Sequence, residues 1–421
     1  MIIIANTLVA NGGTTFIIRM SKEYFRNNNK LKVIVLYENY LQEHLDELKK
    51  YAEVHFIKNY IPKYQSKISK SQLLPFIIQL KKEKIKDLIG NEDVFHVMGI
   101  FGYILAKKIK KITPSVKITI GVYHQNEFMY SSINGYFNNW VYKEMNNVDP
   151  KYFIFFNNSM RNAYSNYFNY GFKDSPILPI GITLNEQIEN ESGYNEGLMI
   201  SVGNLVGFKT YNKHIINLMP SILKKYPKVK FDIYGIGEEF NDLSSLVESL
   251  NLNENVFFKG LLDYNKFDEI VSKAHVFFGN GTAVLEAANA GTPSITGIES
   301  CEDPITYGYV HQIEGYDYNE YDKDKKYYKY ETLLNELFEG GENERTKLSK
   351  LGQENVKKFD IINTVNGFNK INSNKEVFQF KYIRKSENLK LFISFIRISI
   401  LDVLKIDQRF KYRRNQGETK K

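Results

Sequence analysis

The fold of this 421-residue chain is decided by the stretch "AHVFFGNGTAVLEAANAGTPS" at residues 274–294. It begins with an apolar, aromatic run typical of a buried strand, which two glycines, Gly279 and Gly281, bring to an end. A run of small residues with one acid, Glu286, then predicts a short helix that stops before Gly291-Thr-Pro. A glycine loop lets the backbone approach a ligand closely, and the free N–H groups at a helix start favour an anion such as phosphate.

The same alternation of strand and helix occurs along most of the chain. Near-continuous apolar strands separated by helices predict a parallel sheet covered by helices on both faces. The sequence therefore predicts an α/β fold with two doubly wound, Rossmann-like domains and a cleft between them, an N-terminal one at 1–183 and a C-terminal one at 196–365, joined by a polar linker within 175–197. The predicted strands lie at 1–8, 31–37, 52–58, 93–99, 117–124, 152–158, 198–205, 230–237, 255–260, 274–281 and 293–298.

Composition and charge narrow the class of protein. The chain is 43% hydrophobic and 25% charged, which is typical of a globular protein. Its single cysteine, Cys301, excludes an intrachain disulfide, and no His/Cys cluster has metal-ligand spacing, so we expect no metal. The N-terminus lacks the features of a signal peptide, and no uncharged run has the length of a spanning helix.

The net charge of +8 is confined to the C-terminal segment. Residues 381–421 hold twelve Lys/Arg against four Asp/Glu, and residues 1–380 hold 44 of each kind. A nucleic-acid enzyme would carry positive charge around its cleft as well, so we expect no nucleic-acid partner.

The motifs of the second half resemble the GT-B glycosyltransferases, specifically the family-4 retaining enzymes of glycosyltransferase group 1. The resemblance spans roughly 1–375 and includes "ILPIGI" at 177–182. Its best-matched segments are "SVGNLVGFKTYN" (201–212), "FDIYGIGEE" (231–239), "NVFFKGLL" (255–262) and "FFGNGTAVLEAANAGTPSI" (277–295). It implies a nucleotide-sugar donor, a glycan acceptor and no cofactor or metal. We expect the helix at 366–380 to return to the N-terminal domain.

The resemblance also implies a role for individual residues. Lys209 would contact the donor diphosphate, Glu286 would hold the nucleotide ribose, and His124 would lie near the transferred sugar. His124 and Lys209 are thus the predicted catalytic residues, and Lys209 is also one of the donor-binding residues. The other predicted donor-binding residues are Gly12, Gly13, Asn204, Gly235, Gly237, Leu261, Gly281, Thr282, Ala283 and Glu286.

Two positions depart from the family pattern. Asn204 stands where the family usually has Arg, and Phe278 stands where it has an acid that grips the donor sugar. A non-catalytic GT-B subunit that scaffolds a partner enzyme therefore remains an alternative. Glu127 would act as base if the enzyme inverts configuration, and His96 is either a packing residue or an acceptor contact.

Residues 389–404, "LKLFISFIRISILDVL", have helical apolar spacing with a narrow polar stripe of Lys390, Ser394 and Arg397. An apolar helix beside a basic cluster is typical of an interfacial helix on anionic lipid. The alternatives are a helix docked on the first domain, or a contact with another macromolecule. From the tail and the family's usual work, we expect a cytoplasmic enzyme, peripheral at the inner face of the cytoplasmic membrane. It would act on a lipid-linked acceptor for an O-antigen or capsule.

Overall fold

A computed structural model describes residues 1–130, 135–184, 193–373 and 380–411. The chain divides into two compact units, each with its own parallel sheet. The first unit contains 1–180 and the described residues from 361 onward, and the second contains 181–360. The predicted α/β class with two Rossmann-like domains is confirmed.

The strands of the first unit are short and apolar, and helices alternate with them. Its strands are β1 Ile2–Ala5, β2 Leu31–Val35, β3 Ala52–Phe56, β4 Val94–Met98, β5 Lys117–Val122 and β6 Phe153–Phe155. Its helices up to residue 180 are α1 Gly12–Arg26, α2 Gln42–Tyr51, α3 Lys63–Ser66, α4 Leu74–Ile77, α5 Lys82–Ile89, α6 Gly99–Lys110, α7 Tyr136–Asn146 and α8 Asn158–Phe168.

The strand order of the first sheet is β3-β2-β1-β4-β5-β6, with every pair parallel. The order reverses between β1 and β4, so the connections leave in opposite directions from this point. Ligands of such sheets bind outside the carboxyl ends of the strands at the reversal.

The second unit repeats this plan with five strands. Its strands are β7 Leu198–Val202, β8 Lys230–Tyr234, β9 Val256–Gly260, β10 Val276–Gly279 and β11 Ser294–Thr296, and a separate antiparallel pair joins β12 Ile305–Thr306 to β13 Tyr328–Lys329. Its helices are α9 Tyr211–Lys225, α10 Phe240–Ser249, α11 Phe267–Val271, α12 Thr282–Asn289 and α13 Tyr330–Val356, which is kinked at Gly341. The main sheet has the order β11-β10-β7-β8-β9 and reverses between β7 and β10.

Two C-terminal helices belong to the first unit, α14 Ile361–Ser373 and α15 Lys385–Val403. Helix α14 packs on α1, and Tyr24 donates a hydrogen bond to Asn369 at 2.8 Å. It begins five residues before the predicted 366, because the chain leaves the second unit at Asp360. The predicted linker at 175–197 lies partly outside the described residues.

Helix α15 is docked on α4 and α7 of the first unit. Its buried face consists of Leu391, Phe395 and Ile398. The ring of Phe395 lies 5.3 Å from those of Phe76 and Phe101 and 5.4 Å from that of Phe137. Docking is one of the alternatives that the sequence leaves open for the tail, and the geometry explains it: one of the helix's two apolar faces completes the core of this unit.

We predict that Phe395→Ala releases α15 from the first unit. Truncating a buried Phe costs about 3–5 kcal/mol, which is a large part of what holds one helix in place. Limited proteolysis followed by mass spectrometry should show new cleavage sites within 381–411. Ile393→Ala is the matched control, because Ile393 is 58% exposed. Equal protease resistance of both variants would contradict the docked arrangement.

Candidate functional site

The best-defined candidate site of the second unit lies where β7 and β10 end side by side. Strand β7 runs into Gly203, and β10 runs into the loop Gly279-Asn280-Gly281 before α12. Both loops lie at the reversal of strand order, where open parallel sheets bind their ligands.

The loop after β7 carries Lys209 back over the end of its own strand. The Lys209 Nζ lies 2.8 Å from the place that a Cβ on Gly203 would occupy, and the Tyr211 hydroxyl lies 3.3 Å from it. A side chain at residue 203 would therefore displace this ammonium group. The structure thus places a cation at the carboxyl end of β7, as the sequence predicts.

Tyr211 is a site residue that the sequence analysis did not single out. Its side chain is 1% exposed, and its hydroxyl has no hydrogen-bond partner among the described residues. Burial raises the pKa of Tyr211, so the hydroxyl keeps its proton and can donate. A buried polar group without a partner costs about 1–3 kcal/mol, which points to a ligand or water beside Gly203.

Gly235 and Gly237 have a packing role that the predicted ligand contact did not consider. A Cβ on Gly235 would overlap the carbonyl oxygen of Gly203, and one on Gly237 would overlap that of Leu205. Gly203 N donates to Tyr234 O at 2.9 Å, and Leu205 N donates to Ile236 O at 2.9 Å. The two glycines therefore hold the 203–205 loop in place by close backbone contact.

The start of α12 offers free amide groups beside an open space. Gly281 has φ +61°, and nothing lies within 4 Å of a Cβ built on it. The Gly281 N–H donates to Asn319 Oδ1 at 2.8 Å, so the described structure already uses one of the three predicted amides. The N–H groups of Thr282 and Ala283 have no acceptor within the described ranges. A helix start with unpaired N–H groups is favourable for an anion.

Glu286 lies one turn further along α12 and is half-buried. Its carboxylate accepts a hydrogen bond from the hydroxyl of Tyr264, whose ring stacks on Phe267 at 5.0 Å. Tyr264 is separated from Glu286 by 22 residues, and no sequence pattern indicated the pair. Leu261, predicted to lie near a base, is 70% exposed on the loop after β9.

The two departures from the family pattern lie in different environments. Asn204 is exposed beside Gly203. Phe278 is 0% exposed within β10, and its ring lies 6.0 Å from those of Phe231 and Tyr330. Phe278 is thus a core residue. An acid that the sequence analysis did not consider, Glu299, lies with Oε1 3.5 Å from Asn280 Nδ2 in the loop that follows β10.

The first unit holds the remaining predicted residues at the corresponding edge of its sheet. Gly12 and Gly13 form the first turn of α1, and Asn11 Oδ1 caps this helix by accepting from Thr14 N at 2.9 Å. Gly12 is exposed, with nothing within 4 Å of a Cβ built on it. This helix start is therefore open to a close backbone approach.

His124 and Glu127 follow β5. His124 is 7% exposed, and its Nδ1 accepts from Asn126 N at 3.1 Å, so a neutral ring carries its proton on Nε2. Glu127 Oε1 lies 2.8 Å from the place of a Cβ on Gly99, which has φ +80° and directly follows β4. The carboxylate therefore covers the end of β4, at the point where the strand order reverses.

His96 is a packing residue. It lies within β4 and not at a strand end, is 0% exposed, and contacts Thr119 Oγ1 at 3.0 Å and the Tyr123 hydroxyl at 2.6 Å. Burial lowers the pKa of His96 to about 3, so the ring stays neutral.

Metal centres and membrane spans are not found in the described part of the chain. Among the residues that the structure describes, no group of three or more His, Cys, Asp or Glu could hold a metal ion. None of the described helices is long and apolar enough to cross a membrane.

Comparison with known proteins identifies the second unit. Residues 185–301 match the family model described as glycosyl transferases group 1. A curated relative, the poly(glycerol-phosphate) alpha-glucosyltransferase of Bacillus subtilis, is 30% identical over 128 residues. This match covers 29% of the present chain and only 18% of the relative.

Solved structures match far more of the chain. TarM of S. aureus, determined in complex with fondaparinux, alpha-GlcNAc-glycerol and UDP, has a TM-score of 0.61 at 11% identity, and the match covers 89% of this chain and 99% of TarM. The pneumococcal O-GlcNAc transferase GtfA, in complex with UDP and GlcNAc, has a TM-score of 0.60 at 12% identity, covering 89% and 99%. The resemblance to GT-B glycosyltransferases is therefore confirmed for the fold, and for 185–301 also for the group 1 family.

We predict that Gly235→Ala destabilises the second unit. The added methyl group overlaps the Gly203 carbonyl oxygen, and Gly235 also has φ +150°, so the loop must move. Overpacking of this kind costs about 1–3 kcal/mol. Gly12→Ala is the matched control, because that position is open and its helical φ suits alanine. Thermal unfolding should show a lower midpoint for Gly235→Ala alone, and equal midpoints would contradict the packing argument.

Proposed function

We propose that this chain is an enzyme that transfers a sugar from a nucleotide-sugar donor to a glycan acceptor, with the donor bound at the ends of β7 and β10. The observation that carries the proposal is the placement of the Lys209 ammonium and the open N–H groups of Thr282 and Ala283 at this reversal of strand order. Together they form a site suited to the diphosphate of the donor.

The mechanism follows from where charge develops. Breaking the bond between sugar and nucleotide leaves a nucleoside diphosphate with new negative charge. Fixed donors that already point at this charge lower the barrier, because they need no reorganisation during the reaction. In our proposal, Lys209 supplies a full positive charge and the start of α12 about half of one. These groups would stabilise the leaving group without a metal.

Glu286 and Tyr264 would hold the nucleotide itself. A carboxylate accepts hydrogen bonds from two neighbouring hydroxyl groups, as on a ribose. The Tyr264 hydroxyl donates to Glu286 and thereby fixes the orientation of the carboxylate. Tyr211 would donate to a phosphate oxygen beside Gly203, which would satisfy its buried hydroxyl.

His124 and the turn Gly12-Gly13 would act from the first unit, His124 at the transferred sugar and the glycines at the diphosphate. The resemblance to family-4 enzymes favours retention of configuration, with the acceptor hydroxyl attacking from the face of the leaving group. The alternative, with Glu127 as general base and inversion, would give the opposite anomer.

The relatives suggest where to begin with substrates. TarM and GtfA were both determined with UDP, so UDP-sugars are the first donors to test. The match to a poly(glycerol-phosphate) glucosyltransferase and the basic tail together support an acceptor linked to lipid. On this basis we propose a role in bacterial surface polysaccharide, such as an O-antigen or capsule, at the inner face of the cytoplasmic membrane.

The buried Phe278 favours a second candidate, a non-catalytic GT-B subunit that binds or scaffolds a partner enzyme. Its position in the core of the second unit leaves no carboxylate at that place for the donor sugar. The two candidates differ in turnover: an enzyme should release UDP from its donor when a mixture of glycan acceptors is supplied, whereas a scaffold should not.

We predict that UDP binds the purified protein and that Lys209→Ala or Glu286→Ala weakens the binding on the order of 10- to 100-fold. This follows because a hydrogen bond to a charged group contributes about 1.5–3 kcal/mol and each 1.4 kcal/mol is tenfold in affinity. Isothermal titration calorimetry would measure the change, after a thermal-shift panel of UDP, GDP, ADP and CMP has identified the nucleotide.

Lys213→Ala and Glu248→Ala are the matched controls. Both side chains are exposed on helices of the same unit, α9 and α10. They should leave binding unchanged. A well-folded protein that binds none of the nucleotides would contradict the proposed donor site, and equal losses in the control variants would remove Lys209 and Glu286 from it.

A further inference from the structure

A pocket of about 570 Å³ lies beside α15 in the first unit. Its walls come from the start of α7, from α15 and from the segment that follows α15. This size falls within the range of small-ligand sites, about 300–1,000 Å³. None of the residues assigned to donor or acceptor above lines it.

Two cations without a carboxylate partner among the described residues border this pocket. Lys390 and Arg397 are seven residues apart on α15 and therefore lie on the same side of the helix. Both are exposed, and in the described part of the chain no carboxylate oxygen lies within 4 Å of either. Arg409 also lines the pocket, but Asp407 neutralises it through bonds of 2.9 and 2.6 Å. The pocket therefore keeps the positive charges of Lys390 and Arg397.

Apolar side chains form the rest of the pocket and continue beyond it. Ile393, Ile398, Leu401 and Phe410 line its wall. The outward face of α15 and the residues just after it expose a row of large apolar side chains. These are Leu389 (57% exposed), Ile393 (58%), Ile400 (52%), Val403 (79%), Leu404 (60%) and Ile406 (69%). Such residues are ordinary when scattered singly, but a contiguous row marks an interaction surface.

We propose that this pocket binds the phosphate-bearing headgroup of an anionic membrane lipid, while the exposed apolar row of α15 lies among the acyl chains. The proposal rests on the membrane location proposed above and adds a defined lipid site to it. It does not depend on the transfer reaction.

The chemistry of this surface favours lipid over other occupants. A soluble phosphate would use Lys390 and Arg397 but would leave the apolar row in water. A second copy of the chain would cover the apolar row but would bring these same cations against one another. An anionic lipid satisfies both features, because its phosphate and its acyl chains are joined in one molecule.

The docking of α15 prepares this surface. Leu391, Phe395 and Ile398 are buried against the first unit, and Ser394 Oγ accepts from Phe137 N at 3.1 Å. These contacts fix the rotation of the helix, so that Ile393 and Ile400 point outward. The helix therefore meets a bilayer already folded, and docking and membrane contact are compatible.

The test is co-sedimentation of the full-length protein with vesicles. Vesicles of phosphatidylcholine containing phosphatidylglycerol should pellet the protein, and vesicles of phosphatidylcholine alone should pellet much less. The double variant Lys390→Gln/Arg397→Gln should weaken binding to the anionic vesicles on the order of tenfold or more, because each basic residue near the surface contributes to attraction. Ile393→Ser should weaken it as well.

The decisive control is the double variant Lys385→Gln/Lys405→Gln. It removes the same charge from exposed positions of the same segment that do not line the pocket. Binding should fall several-fold less than in the pocket variant. An equal fall would show diffuse attraction between a basic segment and the bilayer, and would overturn the lipid site.

Two further outcomes would also overturn it. Inorganic phosphate that competes as strongly as water-soluble short-chain phosphatidylglycerol would identify free phosphate as the ligand. A dimer in light scattering that Ile393→Ser dissociates would identify a second copy as the occupant of the apolar row. Calorimetry with UDP on the same variants separates this inference from the proposed function, since the pocket variants should bind UDP normally. Loss of vesicle binding with normal UDP binding would leave the donor site standing.

Discussion

The candidate site of the second unit depends on the parallel pairing of β7 with β10. In this register Val276 pairs with Met199 and Phe278 with Ser201, so both strands end at the same edge of the sheet. The chain must then leave the two ends in opposite directions, because β8 and β11 lie on opposite sides of the pair. The space between the departing loops receives the Lys209 ammonium from one side and the start of α12 from the other.

Close backbone contact keeps this space open. Gly235 and Gly237 let the loop after β8 press against residues 203–205, so the loop that carries Lys209 is supported from beneath. Asn319 binds the amide of Gly281 and fixes the entry to α12. These contacts are made before any ligand arrives. A site held in this way loses little entropy on binding, which is the physical meaning of preorganisation.

Much of the fold could be predicted from local sequence, because each strand is a short apolar run and each helix follows a loop. The placement of Lys209 and the start of α12 could also be predicted, since parallel strands end at one edge. Tyr264 and Asn319 could not, because each reaches its partner across a long sequence separation with no periodic signal. Tyr211 is missed for another reason: a tyrosine at the start of an amphipathic helix looks like core until its hydroxyl is found without a partner among the described residues.

The tail shows how one pattern can serve two purposes. The sequence indicates a helix with apolar residues around most of its circumference, which favours a membrane surface and leaves docking as an alternative. In the structure, Leu391, Phe395 and Ile398 face the first unit, and a second row that includes Ile393 and Ile400 faces outward. Hydrophobic periodicity predicts which residues share a face, but it does not say whether protein or lipid covers that face.

The most direct test of the donor site is amide hydrogen exchange, followed by NMR, at Thr282 and Ala283 with and without the nucleoside diphosphate that the protein binds. These two N–H groups have no acceptor in the described structure, and we expect the diphosphate to lie on them. Exchange at both amides should slow markedly when the nucleotide is added. Unchanged exchange at both, with the nucleotide bound and protection appearing elsewhere in the chain, would contradict the central claim that the start of α12 is the phosphate site.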